Sequence, residues 1–442
     1  MGLWIPRPGF KSQPRPFAPG RMSHLYFGGA DVVELAEEYG TPLYITDENR
    51  IIENFRSYKT AFEDYDTDIY YAVKANGNLA ILKLLAREGA GADVFSTGEL
   101  QLTKLAGIKR GKILFNGNSK SDDDLIAAVE SGVRVSVDSY DELNALASVS
   151  EQLGAEVEIA IRVNPDISAD INPKIATGLK ESKFGVPYAE VMKICRAAHS
   201  MRNISLRGLH CHIGSQILDV RVFGDAADKM LNLVASLHEA GIELEFVDLG
   251  GGLGIGYRPE EKAPTPAELH DALLPAFERN KAEAGIAPKL ILEPGRSIVG
   301  SASILVSRVN AVKHAFKNFV AIDAGFNLLI RPVMYDAYHE VVVANRYNEP
   351  CTELYTIVGP ICEAGDIIAR DRLLPEVKRG DLIAILDTGA YGFSMSSQYN
   401  GRMRCAEVLV RDGHADLIRE RESFEDLLRN QKVPARLMQQ VK

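Results

Sequence analysis

A lysine ends a strongly apolar segment near the start of the sequence. Lys74 directly follows the apolar run 69–73. At the end of a buried strand, loss of water lowers the pKa of an ammonium group, and the neutral amine can form a Schiff base with an aldehyde. A lysine that extends its amine into solvent at a strand end would give the same pattern.

Three glycines and a carboxylate follow two later apolar runs. Residues 250–252 are consecutive glycines, whose backbone N–H groups can approach a phosphate closely, although a flexible turn would need the same residues. Their spacing is not that of the GxGxxG dinucleotide motif. Glu293 follows the run 290–292, and a buried carboxylate there needs a partner such as a protonated pyridine nitrogen. An ion pair with Arg296 or a nearby lysine is the alternative.

Two histidines share one face of a predicted strand end. His210 and His212 flank Cys211, and strand alternation places the thiol on the opposite face. The pair could bind zinc, but no third ligand is evident, and we expect no metal. One imidazole could instead stack on a flat ring while Ser215 donates to a phosphate. A buried, hydrogen-bonded histidine is the other interpretation.

The C-terminal part adds a thiol and a phenol. Cys362 stands beside Glu363 after a predicted strand, and Tyr391 lies in a glycine-flanked bend. A free buried cysteine is usually inert, so Cys362 alone establishes no chemistry.

The apolar runs that precede these residues alternate with stretches of helical period. Eight strands are predicted at 69–73, 92–95, 113–115, 133–137, 157–163, 206–211, 244–249 and 290–292. The helices between them are predicted at 79–88, 97–105, 121–131, 141–153, 188–200, 222–240 and 266–284. This order predicts a (β/α)8 TIM-like barrel, with a doubly wound open sheet as the alternative. The strand ends, which meet at one mouth of such a barrel, carry Lys74, Asp93, Asn116, Asp138, Asn164, His212, the glycines 250–252 and Glu293.

Beyond residue 300 the predicted elements are strands joined by turns. They lie at 304–309, 319–322, 341–345, 354–358, 382–386, 406–410 and 415–419, which predicts an antiparallel β-sandwich or β-barrel domain. The expected organisation is a disordered tail at 1–22, a segment at 23–45 that joins the β-domain, a (β/α)8 barrel at 46–300 that carries the candidate ligand-binding residues, and the β-domain at 301–442.

Composition narrows the possible classes of function. The net charge of −10 argues against nucleic-acid binding, which needs a basic surface. The five cysteines are scattered without a CxxC pair, which is typical of a reducing compartment. No apolar run reaches the roughly 18–20 residues of a membrane span. We therefore expect a cytoplasmic protein that binds neither nucleic acid nor membrane.

Seven motifs in one order resemble those of the diaminopimelate decarboxylases, which are barrel-type (fold type III) pyridoxal-phosphate enzymes. The resemblance runs from about residue 24, and its motifs are AVKAN at 72–76, HCHIGSQ at 210–216, GGGLGI at 250–255, EPGR at 293–296, RPVMYDAYH at 331–339, CEAGD at 362–366 and GAYGFSMSSQYN at 389–400. The last three point to this branch of the family. Met403 and Cys405 stand where the family's pattern has prolines, which leaves fine specificity open.

The resemblance implies pyridoxal 5'-phosphate as cofactor and a homodimer with shared active sites. Lys74, Cys362 and His212 would be catalytic: the lysine would hold the cofactor covalently, the histidine would stack on its ring, and the thiol would return a proton across the dimer interface. Glu293 would pair with the ring nitrogen. The other implied cofactor contacts are Ser215, Gly251, Gly252, Pro294, Gly295, Arg296 and Tyr391. The implied substrate contacts are Arg296, Arg331, Tyr335, Glu363 and Tyr391.

The activity implied is decarboxylation of meso-2,6-diaminopimelate to L-lysine and CO2, the last step of lysine biosynthesis. A related substrate is the alternative: ornithine, arginine, carboxynorspermidine or a carrier-bound amino acid. Glu363 argues against ornithine, because relatives of that type tend to carry aspartate after the cysteine. A cofactor-free binding relative would have lost the cofactor contacts, and a racemase would lack the CEAGD motif.

Overall fold

The computed structural model describes residues 24–167 and 182–438, which form two compact units. The barrel unit contains the described residues of Asn49–Ala302 together with Gly389–Ser394, which interrupt the predicted 301–442 domain. The β-unit contains 24–48, Ser303–Thr388 and 395–438. The predicted tail at 1–22 lies outside the described residues.

Eight parallel strands of the barrel unit close into a cylinder, which confirms the predicted fold class. They are Thr67–Ala72, Gly91–Val94, Ile113–Phe115, Arg134–Val137, Val157–Asn164, Ile204–His210, Phe246–Asp248 and Lys289–Leu292. Each strand pairs with the next along the chain, and the eighth pairs with the first, so no barrel edge is left open. A short strand, Val186–Pro187, also pairs with the fifth. Lys74 lies in the 3₁₀ turn Val73–Ala75 directly after the first strand.

Helices connect the barrel strands, as the sequence period predicts. The connecting helices are Leu79–Glu88, Thr97–Ala106, Asp122–Ser131, Tyr140–Leu153, Val191–Ser200, Arg221–Glu239 and Pro266–Ala284. Two helices that were not predicted lie outside this set: Glu48–Ala61 precedes the first strand, and the single turn Arg296–Val299 follows the eighth. Several begin at a hydroxyl N-cap: the Ser121 and Thr265 side chains each accept an N–H bond in a capping box. In the described part of the chain, no helix is both long enough and apolar enough to span a membrane.

The barrel interior is apolar in its middle layer and polar above it. Inward residues of the middle layer come mainly from alternate strands, and they are Tyr70, Leu114, Ala160, Phe246 and Ile291. Toward the carboxyl ends of the strands the inward positions become polar and stay buried: Asp93, Asn116, Ser136, Arg162, His210, Asp248 and Glu293. A layer of buried charges is costly unless its members have partners, so this end of the barrel is the place to seek a site.

The β-unit is built mostly of antiparallel strands, as predicted. Its strands are Tyr26–Phe27, Ala30–Asp31, Leu43–Asp47, Ser303–His314, Asn318–Ile322, Val341–Val343, Glu353–Val358, Ile367–Leu374, Leu382–Ile385, Ala406–Arg411 and His414–Arg419. Its helices are Val32–Tyr39, Arg331–Tyr335 and Phe424–Leu428. Two pairings are parallel: Leu43–Asp47 with Ala406–Arg411, and Asn318–Ile322 with Glu353–Val358. The strand Ile367–Leu374 was not predicted.

Candidate active site

Lys74 is held in an ion pair at the barrel mouth. Its Nζ donates to the Oδ2 of the fully buried Asp93 and lies 4.3 Å from the centre of the Phe95 ring. Burial by itself lowers the pKa of an ammonium group, but the nearby Asp93, Tyr391 and Glu293 outweigh burial and raise the pKa of Lys74. The expectation of a lowered pKa is therefore wrong, because the sequence did not show how close the carboxylates lie.

Asn116 connects this ion pair to Glu293. Its Nδ2 donates to Asp93 Oδ1 at 2.6 Å and to Glu293 Oε1 at 2.7 Å, and all three side chains are buried. Lys74 and Glu293 come from opposite ends of the barrel sequence, and the closure of the first strand against the eighth brings them to the same mouth. The amine and the acid predicted from the sequence therefore share one hydrogen-bond network.

Glu293 has a second carboxylate as its neighbour. Burial raises the pKa of Glu293, even though Lys74, Asn116 and Arg162 act in the other direction. Burial and the proximity of Glu293 raise the pKa of Asp248 strongly. Two buried carboxylates favour a shared proton or an additional cation between them. A ligand that brings a protonated ring nitrogen would supply that positive charge.

The two histidines do not act as a pair. His212 Nδ1 accepts the N–H of Gly251 at 3.2 Å, and burial followed by the Lys74 charge lowers the pKa of His212 well below its ordinary value. His210 instead contacts the Ser136 hydroxyl at 2.7 Å and lies 3.4 Å from Glu293 Oε2. The imidazole of His212 is therefore neutral and free of the charge that would oppose stacking on a cationic ring.

Three side chains of types that bind metal ions are grouped at this position. Ligand atoms of His210, Asp248 and Glu293 lie within 4.8 Å of one another. The two histidines considered together as zinc ligands do not share this cluster: His210 is grouped with the two carboxylates, while His212 is bonded to the glycine turn. The prediction that no metal is used stays a prediction.

Unsatisfied polar atoms around Glu293 fit a polar aromatic cofactor. Among the described residues, four buried atoms of this layer have no hydrogen-bond partner: Asn116 Oδ1, Arg162 Nη1, His210 Nε2 and Asp248 Oδ2. Buried polar groups are normally paired, and a cluster of unpaired ones indicates a missing ligand. A ring that carries a nitrogen and a hydroxyl matches such a mixture of donors and acceptors.

The glycine turn after the seventh strand packs against neighbouring backbone. A Cβ at Gly251 would lie 2.1 Å from the Glu293 carbonyl oxygen, and one at Gly252 would lie 2.3 Å from the Gly214 carbonyl oxygen. Gly252 also has a φ of +117°. Only glycine fits both positions, which lets the N–H groups of the turn lie at the mouth.

Arg296 joins the phosphate-binding candidates to one another. Its guanidinium donates to the Ser215 hydroxyl at 3.0 Å and to the Tyr257 hydroxyl at 2.8 Å, and lies 5.0 Å from the centre of the Tyr391 ring. Tyr391 has a φ of +57°, and its N–H donates to the Ala75 carbonyl at 2.8 Å, next to Lys74. Every residue predicted to contact the cofactor belongs to the barrel unit: Lys74, His212, Ser215, Gly251, Gly252, Glu293, Pro294, Gly295, Arg296 and Tyr391.

In the β-unit, Cys362 and Glu363 are exposed and lie in one cluster. Asn400 clamps the cysteine, because its Oδ1 accepts the Cys362 N–H at 2.9 Å and its Nδ2 donates to the sulfur at 3.1 Å. The Tyr399 hydroxyl donates to Glu363 at 2.8 Å. The sequence motif SQYN contains both Tyr399 and Asn400, but it gave no sign that they contact the cysteine loop.

Arg331 and Tyr335 begin and end one short helix of the β-unit. Arg331 is buried, and its Nη1 lies 2.8 Å from Nε2 of His339. His339 belongs to the RPVMYDAYH motif but was not predicted to have a role, because no spacing rule links it to the arginine eight residues earlier.

Comparison with known proteins identifies the family. Residues 48–300 match the family described as "Pyridoxal-dependent decarboxylase, pyridoxal binding domain". The diaminopimelate decarboxylase of Archaeoglobus fulgidus is 53% identical over 93% of this chain and 97% of its own length. The crystal structure of the M. jannaschii enzyme of that name in complex with L-lysine is 41% identical, covers 94% of this chain and 97% of that one, and has a TM-score of 0.90. The crystal structure of the Helicobacter pylori diaminopimelate decarboxylase, also complexed with L-lysine, is 39% identical, covers 90% of this chain and 98% of that one, and has a TM-score of 0.84.

These matches extend over both units and agree with the barrel-mouth geometry. The chain belongs to the pyridoxal-dependent decarboxylases, and within them to the diaminopimelate decarboxylase family. Its cofactor is pyridoxal phosphate.

Proposed function

We propose that this protein decarboxylates meso-2,6-diaminopimelate to L-lysine and CO2, as the last step of lysine biosynthesis. The observation that carries the proposal is the hydrogen-bond network from Lys74 through Asp93 and Asn116 to Glu293. The network places two groups at one mouth of the barrel: an amine that can react with the cofactor's aldehyde and a carboxylate that can pair with its ring nitrogen. The L-lysine complexes of two relatives support the choice of product.

Residues of the barrel unit would hold the cofactor. Lys74 would bind it covalently, His212 would stack on the ring, and Glu293 would hold a proton at the ring nitrogen. Ser215, the turn of Gly251 and Gly252, and the segment Pro294, Gly295 and Arg296 would hold the phosphate with Tyr391. When bound, pyridoxal phosphate supplies an electron-accepting ring for the electron pair that departing CO2 leaves behind.

Glu293 would act in this chemistry through its charge. Burial raises its pKa, so ionised Glu293 is stabilised by a positive partner more than a solvated carboxylate would be. A proton at the ring nitrogen would give the Glu293 carboxylate a positive partner, and the carboxylate would keep that nitrogen protonated. Asn116 holds Glu293 in place at 2.7 Å, so the carboxylate is oriented before a ligand arrives.

The substrate would be recognised by its second amino-acid group. Arg296, Arg331 and Tyr335 would bind the carboxylate that the product retains, Glu363 the ammonium beside it, and Tyr391 would complete the contact. Ornithine and arginine have no carboxylate at that end, so they would leave guanidinium groups unpaired, at a cost of about 2–4 kcal/mol. The product is L-lysine, so the retained centre is the L centre and the lost carboxylate comes from the D centre.

Cys362 would return a proton to the carbon that has lost CO2. We also propose a homodimer, in which the β-domain of the mate supplies Cys362. A cytoplasmic location is proposed from the cysteines, since Cys195, Cys211, Cys351, Cys362 and Cys405 are all free thiols.

A substrate panel tests the proposal. The purified protein, loaded with pyridoxal phosphate, is incubated with meso-diaminopimelate, L-ornithine, L-arginine or carboxynorspermidine, and CO2 and the chirality of the amine product are measured. We expect CO2 and L-lysine from diaminopimelate and at least about a hundredfold lower kcat/KM for ornithine and arginine. Robust turnover of ornithine with none of diaminopimelate would overturn the proposal in favour of the related-substrate alternative.

A further inference from the structure

A buried histidine connects Arg331 to the sheet of the β-unit. His339 has no exposed surface, its Nδ1 lies 2.8 Å from the Leu386 carbonyl oxygen, and its Nε2 lies 2.8 Å from Arg331 Nη1. Leu386 directly follows the strand Leu382–Ile385, and its N–H donates to the Glu340 carbonyl at 2.9 Å. The histidine is therefore attached to a fixed point of the backbone.

The two contacts define the protonation state of the imidazole. A carbonyl oxygen only accepts, so Nδ1 must carry a hydrogen. A guanidinium only donates, so Nε2 must present its lone pair. His339 is therefore neutral and protonated on Nδ1 in this arrangement, and a doubly protonated ring would lose the Arg331 bond and place a second cation beside it.

A neutral partner has a particular consequence for an arginine that must bind an anion. Elsewhere in the β-unit, buried Arg346 is held by the carboxylates of Asp381 and Glu349, which cancel its charge locally. An imidazole acceptor orients Arg331 through one hydrogen bond and adds no negative charge at that contact. The guanidinium is thus directed without competition from this partner for a carboxylate ligand.

We propose that His339 is a positioning residue for substrate recognition, which directs Arg331 toward the carboxylate that the product retains. This inference rests on the proposed function, because it assigns that carboxylate to Arg331. His339 itself touches neither substrate nor cofactor. Its effect is on the binding of ligands that carry the carboxylate, and it leaves the departure of CO2 to other residues.

Two substitutions of different length separate the two hydrogen bonds. In His339→Asn the side-chain amide can still donate to Leu386 but is too short to reach Arg331. In His339→Gln the side-chain oxygen can lie near the original Nε2 position and accept from Arg331. Ser307→Ala serves as a control for the loss of a buried hydrogen bond in the same unit, because the Ser307 hydroxyl donates to Asp323 at 2.5 Å and accepts from Ala324 at 2.9 Å.

The test uses the holoenzyme and two competitive ligands that differ only in the carboxylate, L-lysine and 1,5-diaminopentane. For His339→Asn we expect the KM for meso-diaminopimelate and the inhibition constant of L-lysine to rise about tenfold or more. The inhibition constant of 1,5-diaminopentane and kcat should stay within about threefold of the unchanged enzyme. His339→Gln should recover most of the lost affinity for L-lysine. Ser307→Ala should change the inhibition constants of L-lysine and 1,5-diaminopentane by the same factor.

The contradicting results are distinct. If His339→Asn weakens the binding of L-lysine and of 1,5-diaminopentane equally, or weakens the binding of neither, the proposed role of His339 is overturned. In a parallel arm, Arg331→Leu should also weaken L-lysine selectively. If it does not, while the unchanged enzyme still converts diaminopimelate to L-lysine, then the assignment of Arg331 and the inference fail but the proposed activity stands.

Discussion

Lys74 and Glu293 lie at the two ends of one chain of side-chain hydrogen bonds, although 219 residues separate them in the sequence (293 minus 74). Asp93 and Asn116 form the links between them, and every member comes from the carboxyl end of a barrel strand or from the turn after it. The same network raises the pKa of Lys74 and orients Glu293. With the proposed roles of Lys74 and Glu293, cofactor attachment and ring protonation would therefore be coupled in this site.

Replacement of Lys74 should abolish covalent attachment of the cofactor. Lys74→Ala and Lys74→Arg should both lose the absorbance, near the edge of the visible range, of the cofactor bound covalently to the lysine. Both should lower kcat by about a thousandfold or more. Lys74→Arg is the sharper variant, because it keeps a cation beside Asp93 and so keeps the ion pair. Spectra and turnover of the reconstituted variants provide the measurement, and an Lys74→Arg enzyme with the unchanged spectrum would refute the attachment site.

Asp93→Asn should speed up capture of the cofactor near neutral pH. The Asp93 carboxylate helps to keep the Lys74 amine protonated, and only the neutral amine attacks an aldehyde. A decrease of one unit in the pKa of Lys74 would raise the rate of capture by about tenfold. Stopped-flow mixing of cofactor-free enzyme with pyridoxal phosphate measures it, with Asp138→Asn as a control at another strand end. A slower reaction in Asp93→Asn would contradict this account.

Gly251→Ala should destabilise the barrel unit and prevent cofactor binding. The added methyl group would lie 2.1 Å from the Glu293 carbonyl oxygen, a contact that only backbone movement can relieve. We expect a loss of about 3 kcal/mol or more in the free energy of unfolding. Gly111→Ala is the matched control, because a Cβ at Gly111 meets nothing within 4 Å. Denaturant unfolding measures the free energy of unfolding of both variants. Equal values for Gly251→Ala and Gly111→Ala would show that the turn has room for a methyl group.

Acid should destabilise the cofactor-free protein partly through His210. Burial, followed by the Arg162 charge, lowers the pKa of His210 well below its ordinary 6.5, so the unfolded chain binds a proton that the folded chain excludes. The contribution is complete above about pH 6.5 and is lost as the pH falls toward the folded pKa, by up to about 1.4 kcal/mol per pH unit.

Comparing two variants separates the contribution of His210 to the pH dependence of the unfolding free energy from the contribution of the carboxylates. His210→Gln should flatten the decrease in unfolding free energy between pH 6.5 and 5, whereas His314→Gln, at an exposed histidine, should keep it. An unchanged slope in His210→Gln would mean that His210 is protonated in the folded protein.

The sequence predicts the barrel well because buried parallel strands give short, continuous apolar runs. The eighth strand, for example, is visible at 290–292 and observed at Lys289–Leu292. The strand Ile367–Leu374 escaped prediction because Arg370, Asp371 and Arg372 interrupt its apolar pattern at exposed or partly exposed positions. Edge-type strands with one solvated face are hard to recognise from composition.

The site divides in the same way. Lys74, His212 and Glu293 were recognisable because polar residues at the ends of apolar strands are unusual. Asp93 was also placed at this mouth, but its effect on the pKa of Lys74 was not foreseen, and the contact of His339 with Arg331 was missed, because a pKa or a guanidinium orientation depends on distances that no sequence spacing fixes.

We expect Lys74 and Glu293 to face the same cofactor ring. A crystal structure of the holoenzyme with L-lysine would show whether they do. It should place a Glu293 carboxylate oxygen about 2.6–3.2 Å from the ring nitrogen and Lys74 within reach of the ring's aldehyde carbon. A ring nitrogen that contacts solvent or another residue, with Glu293 on the far side of the mouth, would contradict it.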